Sequence, residues 1–278
     1  MARVGPRFAL LTYAGTNCDE ELHRALAECG ARPEIVRLNQ FEPGAVAPSA
    51  ARRLDAYDAL LVPGGFSAGD YVRAGAIFAA RIRAVLGPQL EEFVRTGHLV
   101  GGICNGFQVL TELGLLPGRA DGRLGPPEAA LMTNASGLFE CRPTFVAFGG
   151  GRFAPMAGAP AGERFLFPSA HGEGKLALPG NALERVRALD AAGQVLFRWV
   201  APDGGPATYP WNPNGSVGDV AGLTNPTGTV FGLMPHPERS FFRSQSPTWT
   251  RNGGAEGYFD GERFLRGLVR YASAARAR

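Results

Sequence analysis

The amino-acid sequence is poor in lysine and in long apolar runs, and its charges nearly balance. Lys175 is the only lysine among 278 residues, so arginine carries almost all of the positive charge, and the net charge is +3. Because this charge is small and the arginines are dispersed, we expect no nucleic-acid-binding surface. No apolar stretch reaches the roughly 18 residues of a membrane span, and the N-terminus lacks a signal-peptide pattern, so no membrane segment is expected.

The sequence also lacks the spacings that are typical of metal and nucleotide sites. Its four cysteines form no C-x-x-C pair and no close cluster, which favours reduced thiols in a cytoplasmic protein without a zinc site; they are Cys18, Cys29, Cys104 and Cys141. The glycine-rich segment 172–176 does not match the phosphate-binding loop, because the required spacing and the hydroxyl residue after the lysine are missing. We therefore expect no nucleoside triphosphate site in this chain.

What the sequence contains is typical of a globular α/β protein, with 45% apolar and 19% charged residues. In the first half, short apolar strands alternate with helices, which indicates parallel βαβ units and a doubly wound, mainly parallel sheet. The predicted strands are 8–13, 34–38, 57–62 and 99–103, and the predicted helices are 18–29, 77–86 and 90–94. Asn17 is the predicted N-cap of the first helix.

The second half has a less regular pattern. Strands are predicted at 139–146, 165–169, 195–200 and 230–234, separated by loops rich in glycine and proline at 115–127, 148–162 and 202–218. An amphipathic helix is predicted at 259–272. We find no repeat and no linker, so the sequence predicts one domain over residues 1–278, with a core at about 7–240 and a C-terminal helical extension at 241–278.

The most informative stretch surrounds Cys104. An apolar strand runs directly into this cysteine, Gly102 and Gly106 flank it at two residues on either side, and an apolar helix pattern follows. This arrangement is that of a nucleophile elbow, with cysteine in the place of serine. The N-terminus of the helix would favour the thiolate over the thiol. The alternative is that Cys104 is a small buried apolar residue, which is the commonest role of a free cysteine.

Two other strand ends carry chemistry that a cysteine nucleophile needs. Gly64 and Gly65 follow a strand, and their N–H groups, with that of Asn105, could stabilise an oxyanion. His236 leaves the last strand between two prolines and is followed by Glu238, so it could act as the base and Glu238 could orient it. His171 has the same spacing to Glu173 and is the competing base, but we prefer His236 and interpret His171 as a loop residue.

These motifs resemble those of a known family. The segments around Cys104 and His236 are similar to those of the class I (triad) glutamine amidotransferases. Four further stretches, 15–19, 64–71, 170–174 and 212–216, resemble the members of that family that serve purine biosynthesis as the glutaminase subunit of a larger synthase. The likeness extends from about residue 8 to residue 238 and implies the flavodoxin-like sheet of that family.

The resemblance implies a function and a set of site residues. Glutamine would be hydrolysed through a thioester on Cys104, with His236 as base and then acid and Glu238 orienting it. The positions that match substrate-binding or oxyanion positions of the family are Gly64, Gly65, Phe66, Asn105, Gln108, Asn134, Ser136 and Phe139. The ammonia would pass to a separate large synthetase subunit that uses ATP and magnesium, and a small subunit would bridge the two. No cofactor and no metal are expected in this chain.

The sequence departs from the family pattern at a few positions. Leu138 stands where the family usually has arginine, and Ala14 and Ala68 replace the usual proline and tyrosine. Two alternatives remain open at this point. The chain could be a stand-alone γ-glutamyl hydrolase or an amidotransferase for another acceptor, or it could be a non-catalytic subunit with a reactive thiol.

Overall fold

The computed structural model describes residues 5–251 and 254–276. Within these residues, nine strands form one mixed sheet in the order β2-β1-β3-β4-β11-β10-β9-β6-β7, and two more strands, β5 and β8, form a separate antiparallel pair. The strands are β1 (Arg7–Thr12), β2 (Arg32–Arg37), β3 (Ala59–Val62), β4 (Leu99–Ile103), β5 (Ala130–Thr133), β6 (Glu140–Phe148), β7 (Arg164–His171), β8 (Glu173–Ala177), β9 (Val195–Val200), β10 (Val220–Thr224) and β11 (Val230–Leu233).

The sheet has a parallel half and an antiparallel half that meet at β11. The strands β2, β1, β3, β4 and β11 pair in parallel. From β11 onwards, β10, β9, β6 and β7 pair antiparallel. The predicted doubly wound α/β fold is confirmed. The strands β5, β8 and β10 were not predicted, because their sequences are short and lie among glycine-rich turns.

The helices are α1 (Asp19–Glu28), α2 (Ala76–Arg95), α3 (Asn105–Glu112), α4 (Ala182–Ala191) and α5 (Asp260–Ala275). Asn17 does not cap α1, so that prediction is wrong. The N-cap is Cys18, without a side-chain cap, and the N–H groups of Asn17 and Cys18 both donate to the carbonyl oxygen of Gly64. The two helices predicted at 77–94 form one helix, which continues through Pro88 because its buried face keeps helical spacing. The helix α4 was not predicted.

The helix α5 packs on the main sheet through an aromatic cluster. Phe264 is fully buried, and its ring lies 5.6 Å from that of Phe231 and 5.9 Å from that of Phe153. In the predicted C-terminal extension, the long helix thus begins only at Asp260 and covers the face of β11. The division of the chain into a core and an extension stays a prediction. None of the helices in the described ranges is both long and apolar enough to cross a membrane.

Candidate active site

The predicted nucleophile, base and oxyanion glycines lie at the carboxyl ends of three neighbouring parallel strands, where ligand sites form in open α/β sheets. The segment 63–66 follows β3, Cys104 follows β4, and His236 lies three residues after β11. Because β4 lies between β3 and β11 in the sheet, Cys104 lies between the other two segments.

Cys104 has the backbone conformation of a strained nucleophile elbow. Its φ is +54°, in a region that non-glycine residues rarely adopt, and its N–H donates to the carbonyl oxygen of Leu233 at 2.7 Å. The flanking glycines are required by close backbone contacts. A Cβ on Gly102 would lie 2.3 Å from the carbonyl oxygen of Gly106, and one on Gly106 would lie 1.9 Å from that of Val62.

His236 and Glu238 form a buried pair beside this cysteine. The Nδ1 atom of His236 lies 2.5 Å from Oε1 of Glu238, and both side chains are almost completely buried. Gly64 lies between the imidazole and the nucleophile: a Cβ added to it would lie 2.8 Å from Cε1 of His236 and 3.4 Å from Cβ of Cys104. The bare backbone of Gly64 therefore lets the imidazole lie next to the elbow.

The charges around His236 favour its protonated form. Burial alone lowers the pKa of an imidazole, but the carboxylate of Glu238 and then the sulfur of Cys104 outweigh burial and hold the pKa of His236 well above its ordinary value. Glu238 also fixes the ring so that Nε2 is the atom available for proton transfer. The site thus holds an imidazolium beside the sulfur of the nucleophile, an arrangement that cysteine hydrolases use.

The turn after β3 directs one backbone N–H away from its neighbouring segment, and the oxyanion role predicted for Gly64 and Gly65 stays a prediction. Phe66 N–H donates to the carbonyl oxygen of Gly15, and Asn17 N–H donates to that of Gly64. The residue between them, Gly65, therefore forms a non-hydrogen-bonded antiparallel pair with Thr16, and its N–H points away from Thr16. Gly65 also has a φ of +145°, which requires glycine.

Asn105 and Gln108 belong to a buried polar network rather than to an open surface. Nδ2 of Asn105 donates to Oε1 of Gln108 at 2.9 Å and lies 3.2 Å from the carboxylate of Asp70. Nε2 of Gln108 donates to the backbone carbonyl of Glu173. Burial, and then the charge of Glu173, raise the pKa of Asp70 to about 6. The two amides therefore anchor the helix α3 to neighbouring loops, and their predicted contact with glutamine stays a prediction.

The predicted glutamine-contacting segment approaches the turn after β3. The rings of Phe139 and Phe66 lie 6.2 Å apart, and both side chains are partly exposed. Asn134 is buried and donates to the carbonyl oxygens of Leu138 and His171. Ser136 is exposed and accepts from the N–H of Leu138 at 3.3 Å. Asn134 thus shapes the segment, and the substrate contacts predicted for it, Ser136 and Phe139 stay predictions.

His171 is not a loop residue, so that interpretation is wrong. It is the last residue of β7, it is buried, and its Nε2 lies 3.1 Å from Nδ2 of Asn214. Burial and then the charge of His236 lower the pKa of His171 to about 3, so its ring is neutral. Its carboxylate neighbour in sequence, Glu173, accepts from the N–H of Ala74 instead. The structure therefore favours His236 as the base.

The chain that carries this site is similar to a known family. A family model described as a CobB/CobQ-like glutamine amidotransferase domain matches residues 5–272. The chain belongs to this family. Among solved structures, one described as PurLQS from Thermotoga maritima has a TM-score of 0.68 and 31% identity, over 96% of this chain and 99% of that one. A second structure from Thermotoga maritima, described as a glutamine amidotransferase, shares the fold with a TM-score of 0.51 and 17% identity, over 97% of this chain and 96% of that one.

Relatives of this amidotransferase with a known name cover almost its whole length. A protein of Archaeoglobus fulgidus called phosphoribosylformylglycinamidine synthase subunit PurQ is 44% identical over 274 residues, which are 98% of each protein. The protein of that name from Thermus thermophilus is 36% identical, over 95% of this chain and 98% of its own. The predicted class I amidotransferase family is therefore confirmed.

The structure also brings groups to the amidotransferase site that motif reasoning did not assign. Cys18 lies beside His236, and Nη2 of Arg239 donates to its sulfur at 3.0 Å. The carbonyl oxygen of Ala170 accepts from the thiol of Cys104 at 3.6 Å. Cys18 and Arg239 belong to the motifs at 15–19 and 235–239, so the resemblance pointed to their segments without giving them a role.

Proposed function

We propose that this chain is the glutaminase subunit of a phosphoribosylformylglycinamidine synthase. It would hydrolyse glutamine and supply ammonia to a separate synthetase subunit, which converts formylglycinamide ribonucleotide to formylglycinamidine ribonucleotide in purine biosynthesis. The observation that carries the proposal is the buried His236–Glu238 pair beside the strained Cys104 elbow, in a chain 44% identical over nearly its whole length to a named subunit of that synthase.

The geometry supports a two-step reaction. The thiolate of Cys104 attacks the side-chain carbonyl carbon of glutamine and forms a C–S bond, while the developing oxyanion accepts from the N–H groups of Gly65 and Asn105. The tetrahedral intermediate then breaks its C–N bond, and the imidazolium of His236 gives its proton to the departing nitrogen, which leaves as ammonia. Water next attacks the thioester, His236 takes the proton from that water, and the C–S bond breaks to release glutamate. Glu238 keeps the imidazole oriented throughout.

The same proposal assigns the partners. ATP and magnesium would act in the synthetase subunit, and a small third subunit would bridge it to this chain. An apolar rim beside the site, formed by Phe66, Tyr71, Val72, Leu138 and Phe139, supports docking of the synthetase here, because large exposed apolar patches mark interaction sites. Val72 adopts a φ of +75°, which is unusual for a β-branched residue and typical of a functional loop. We also place the protein in the cytoplasm.

The test is a reconstituted complex assayed with two nitrogen sources. In Cys104→Ala, glutamine-dependent product formation is expected to be lost while ammonia-dependent formation stays at the wild-type rate. Loss of both activities would contradict the proposal. A chain that hydrolyses glutamine at its full rate without partners would instead be a stand-alone γ-glutamyl hydrolase. Failure of alkylating glutamine analogues to label Cys104 would point to a non-catalytic subunit.

A further inference from the structure

The strand β7 faces the active site with two backbone carbonyl groups. Within the described residues, β7 is an outer strand of the main sheet, so one of its edges pairs with no other strand. The carbonyl oxygen of Pro168 accepts from the N–H of His236 at 2.8 Å, and that of Ala170 accepts from the thiol of Cys104 at 3.6 Å. The position of this strand end therefore sets how its free edge meets the nucleophile and the base.

A second histidine and carboxylate are neighbours across the paired edge of the same strand. His171, the last residue of β7, lies directly opposite Glu140, the first residue of β6. Directly opposite residues of an antiparallel pair have Cβ atoms about 4.5–5.5 Å apart on one face of the sheet. The two residues are only 3% and 2% exposed. The fold thus brings an imidazole and a carboxylate together inside the protein, in addition to the His236–Glu238 pair.

Each of these two side chains has one buried atom without a hydrogen bond. In the part of the chain that the structure describes, Nδ1 of His171 and Oε1 of Glu140 have no partner, whereas Oε2 of Glu140 accepts from Arg142. Nε1 of Trp199, whose ring stacks on that of His171 with centroids 6.4 Å apart, has none either. Because buried polar atoms are nearly always satisfied, these atoms indicate a direct hydrogen bond or one bridging water.

The neutral ring of His171 carries its proton on Nδ1. The amide of Asn214 is oriented by Ser216, whose N–H and hydroxyl both donate to Oδ1 of Asn214, at 3.0 and 2.7 Å. Nδ2 of Asn214 therefore donates to Nε2 of His171. Burial, and then the charge of His236, lower the pKa of His171 to about 3, so Nδ1 holds the only ring proton. This Nδ1–H is a donor, and Oε1 of Glu140 is the acceptor that complements it.

We propose that Nδ1–H of His171 donates to Glu140, directly or through one water, and that this pair positions the end of β7 for catalysis. The pair keeps the carbonyl oxygen of Ala170 beside the sulfur of Cys104. Glu140 and His171 act through the backbone and do not touch the substrate, so both are positioning residues. Their part in catalysis rests on the function proposed above, whereas the hydrogen bond between them does not.

The carbonyl group of Ala170 is placed to hold the departing nitrogen. The amide nitrogen of glutamine is bonded to the carbon that the sulfur of Cys104 attacks, so it comes within reach of an acceptor 3.6 Å from that sulfur. When the C–N bond breaks, the nitrogen keeps its two hydrogens and gains the proton of His236, and one of these N–H groups donates to Ala170. The carbonyl group itself forms and breaks no covalent bond. A displaced strand end should therefore slow this step more than it weakens glutamine binding.

The first experiment tests the hydrogen bond in the isolated chain. The histidines are labelled with ¹⁵N and studied by NMR, and because the sequence has only four of them, His171→Asn assigns the signals of that ring. We expect the Nδ1–H tautomer, with a slowly exchanging proton whose resonance shifts in Glu140→Gln. An Nε2–H tautomer, a charged ring at neutral pH, or a resonance that Glu140→Gln leaves unchanged would overturn the pair.

The second experiment tests the positioning role in the reconstituted complex. We expect Glu140→Ala and His171→Leu to lower kcat with glutamine by about 10-fold or more, with KM nearly unchanged and the ammonia-dependent rate retained. Glu140→Gln keeps an oxygen acceptor and should restore most of the rate. The matched control is Tyr209→Phe, which removes another contact of Arg142 and should behave as the wild type does.

Circular dichroism and thermal unfolding check that each variant is folded. A wild-type kcat in folded Glu140→Ala or His171→Leu, or an equal loss in Tyr209→Phe, would contradict the positioning role. A chain that shows the bond between His171 and Glu140 by NMR but has no glutaminase activity in the complex would refute only the proposed function.

Discussion

The imidazole of His236 and the carboxylate of Glu238 are 2.5 Å apart, and neither is accessible to solvent. A carboxylate in this position fixes the tautomer of the ring and stabilises the imidazolium, which raises the pKa of His236 despite its burial. Proton transfer in the proposed reaction depends on this contact between His236 and Glu238.

Replacing Glu238 with glutamine should remove most of the glutaminase activity without unfolding the protein. The amide keeps the shape of the carboxylate but loses its charge, so the pKa of His236 should fall and the ring should lose its tautomeric preference. We expect the glutamine-dependent rate to fall by about 10³- to 10⁴-fold, as in comparable triads. Steady-state assays of the complex with glutamine and with ammonia measure this. The control is Glu92→Gln on the exposed face of α2, and an unchanged glutamine-dependent rate in Glu238→Gln would contradict the assigned role.

A methyl group on Gly106 should destabilise the elbow. Its Cβ would lie 1.9 Å from the carbonyl oxygen of Val62, so the helix α3 must move away from β3. We expect Gly106→Ala to lower the free energy of unfolding by about 1–3 kcal/mol, measured by urea denaturation. Gly125→Ala is the matched control, because a Cβ there meets nothing within 4 Å and φ is not positive. Equal stability of the two variants would contradict the close approach of residue 106 to the carbonyl oxygen of Val62.

Buried His171 should make the protein less stable in acid. Its pKa in the folded protein is about 3, below the unfolded value of about 6.5, so the unfolded chain binds the proton more readily. As the pH falls from about 6.5 towards 3, this one group should lower stability by up to about 1.4 kcal/mol per pH unit. Burial and Glu173 raise the pKa of Asp70 to about 6, which gives the opposite dependence.

The comparison of two variants separates these contributions. In His171→Asn, the slope of unfolding free energy against pH should be smaller than in the wild type by the His171 contribution. In Asp70→Asn, acid should destabilise the protein more steeply. Denaturant unfolding at a series of pH values measures both slopes, and an unchanged slope in His171→Asn would mean that the ring is charged in the folded protein.

An aspartate at Val72 should impair association with the synthetase. Val72 is one of the most exposed apolar side chains among the described residues, and it belongs to the apolar rim beside the site. We expect Val72→Asp to weaken binding of the partner by about 10-fold or more, measured by calorimetry, with unchanged stability of the isolated chain. The control is Leu183→Asp on α4, another exposed apolar residue outside the rim. Equal weakening by both substitutions, or by neither, would argue against docking at the rim.

The parallel half of the sheet and the elbow could be predicted from sequence, because both have local signals. The strand before Cys104 is continuously apolar. Gly102 and Gly106, which flank the cysteine, are needed because their backbones lie against each other and against Val62. The role of His236 as the base could also be predicted from sequence, since Pro235 and Pro237 hold the segment around it at a strand end.

The antiparallel half and the surroundings of the site could not be predicted in the same way. Whether His171 ends a buried strand depends on its pairing with Glu140 of β6, across the glycine- and proline-rich connection 149–163, whose length does not set the register. Cys18 lies beside His236 although the two are far apart in the sequence, and the carbonyl oxygen of Gly64 accepts from the N–H groups of Asn17 and Cys18 there. Such contacts arise from packing between distant segments and have no periodic signal in the sequence.

The most direct test is to trap the intermediate of the reaction. Wild-type complex is quenched with acid during turnover with isotopically labelled glutamine, digested, and analysed by mass spectrometry for a γ-glutamyl thioester. We predict the label on the peptide that contains Cys104, and its absence in Cys104→Ser. Label on Cys18, or turnover without any thioester in the quenched wild type, would contradict the central claim that Cys104 is the nucleophile served by His236 and Glu238.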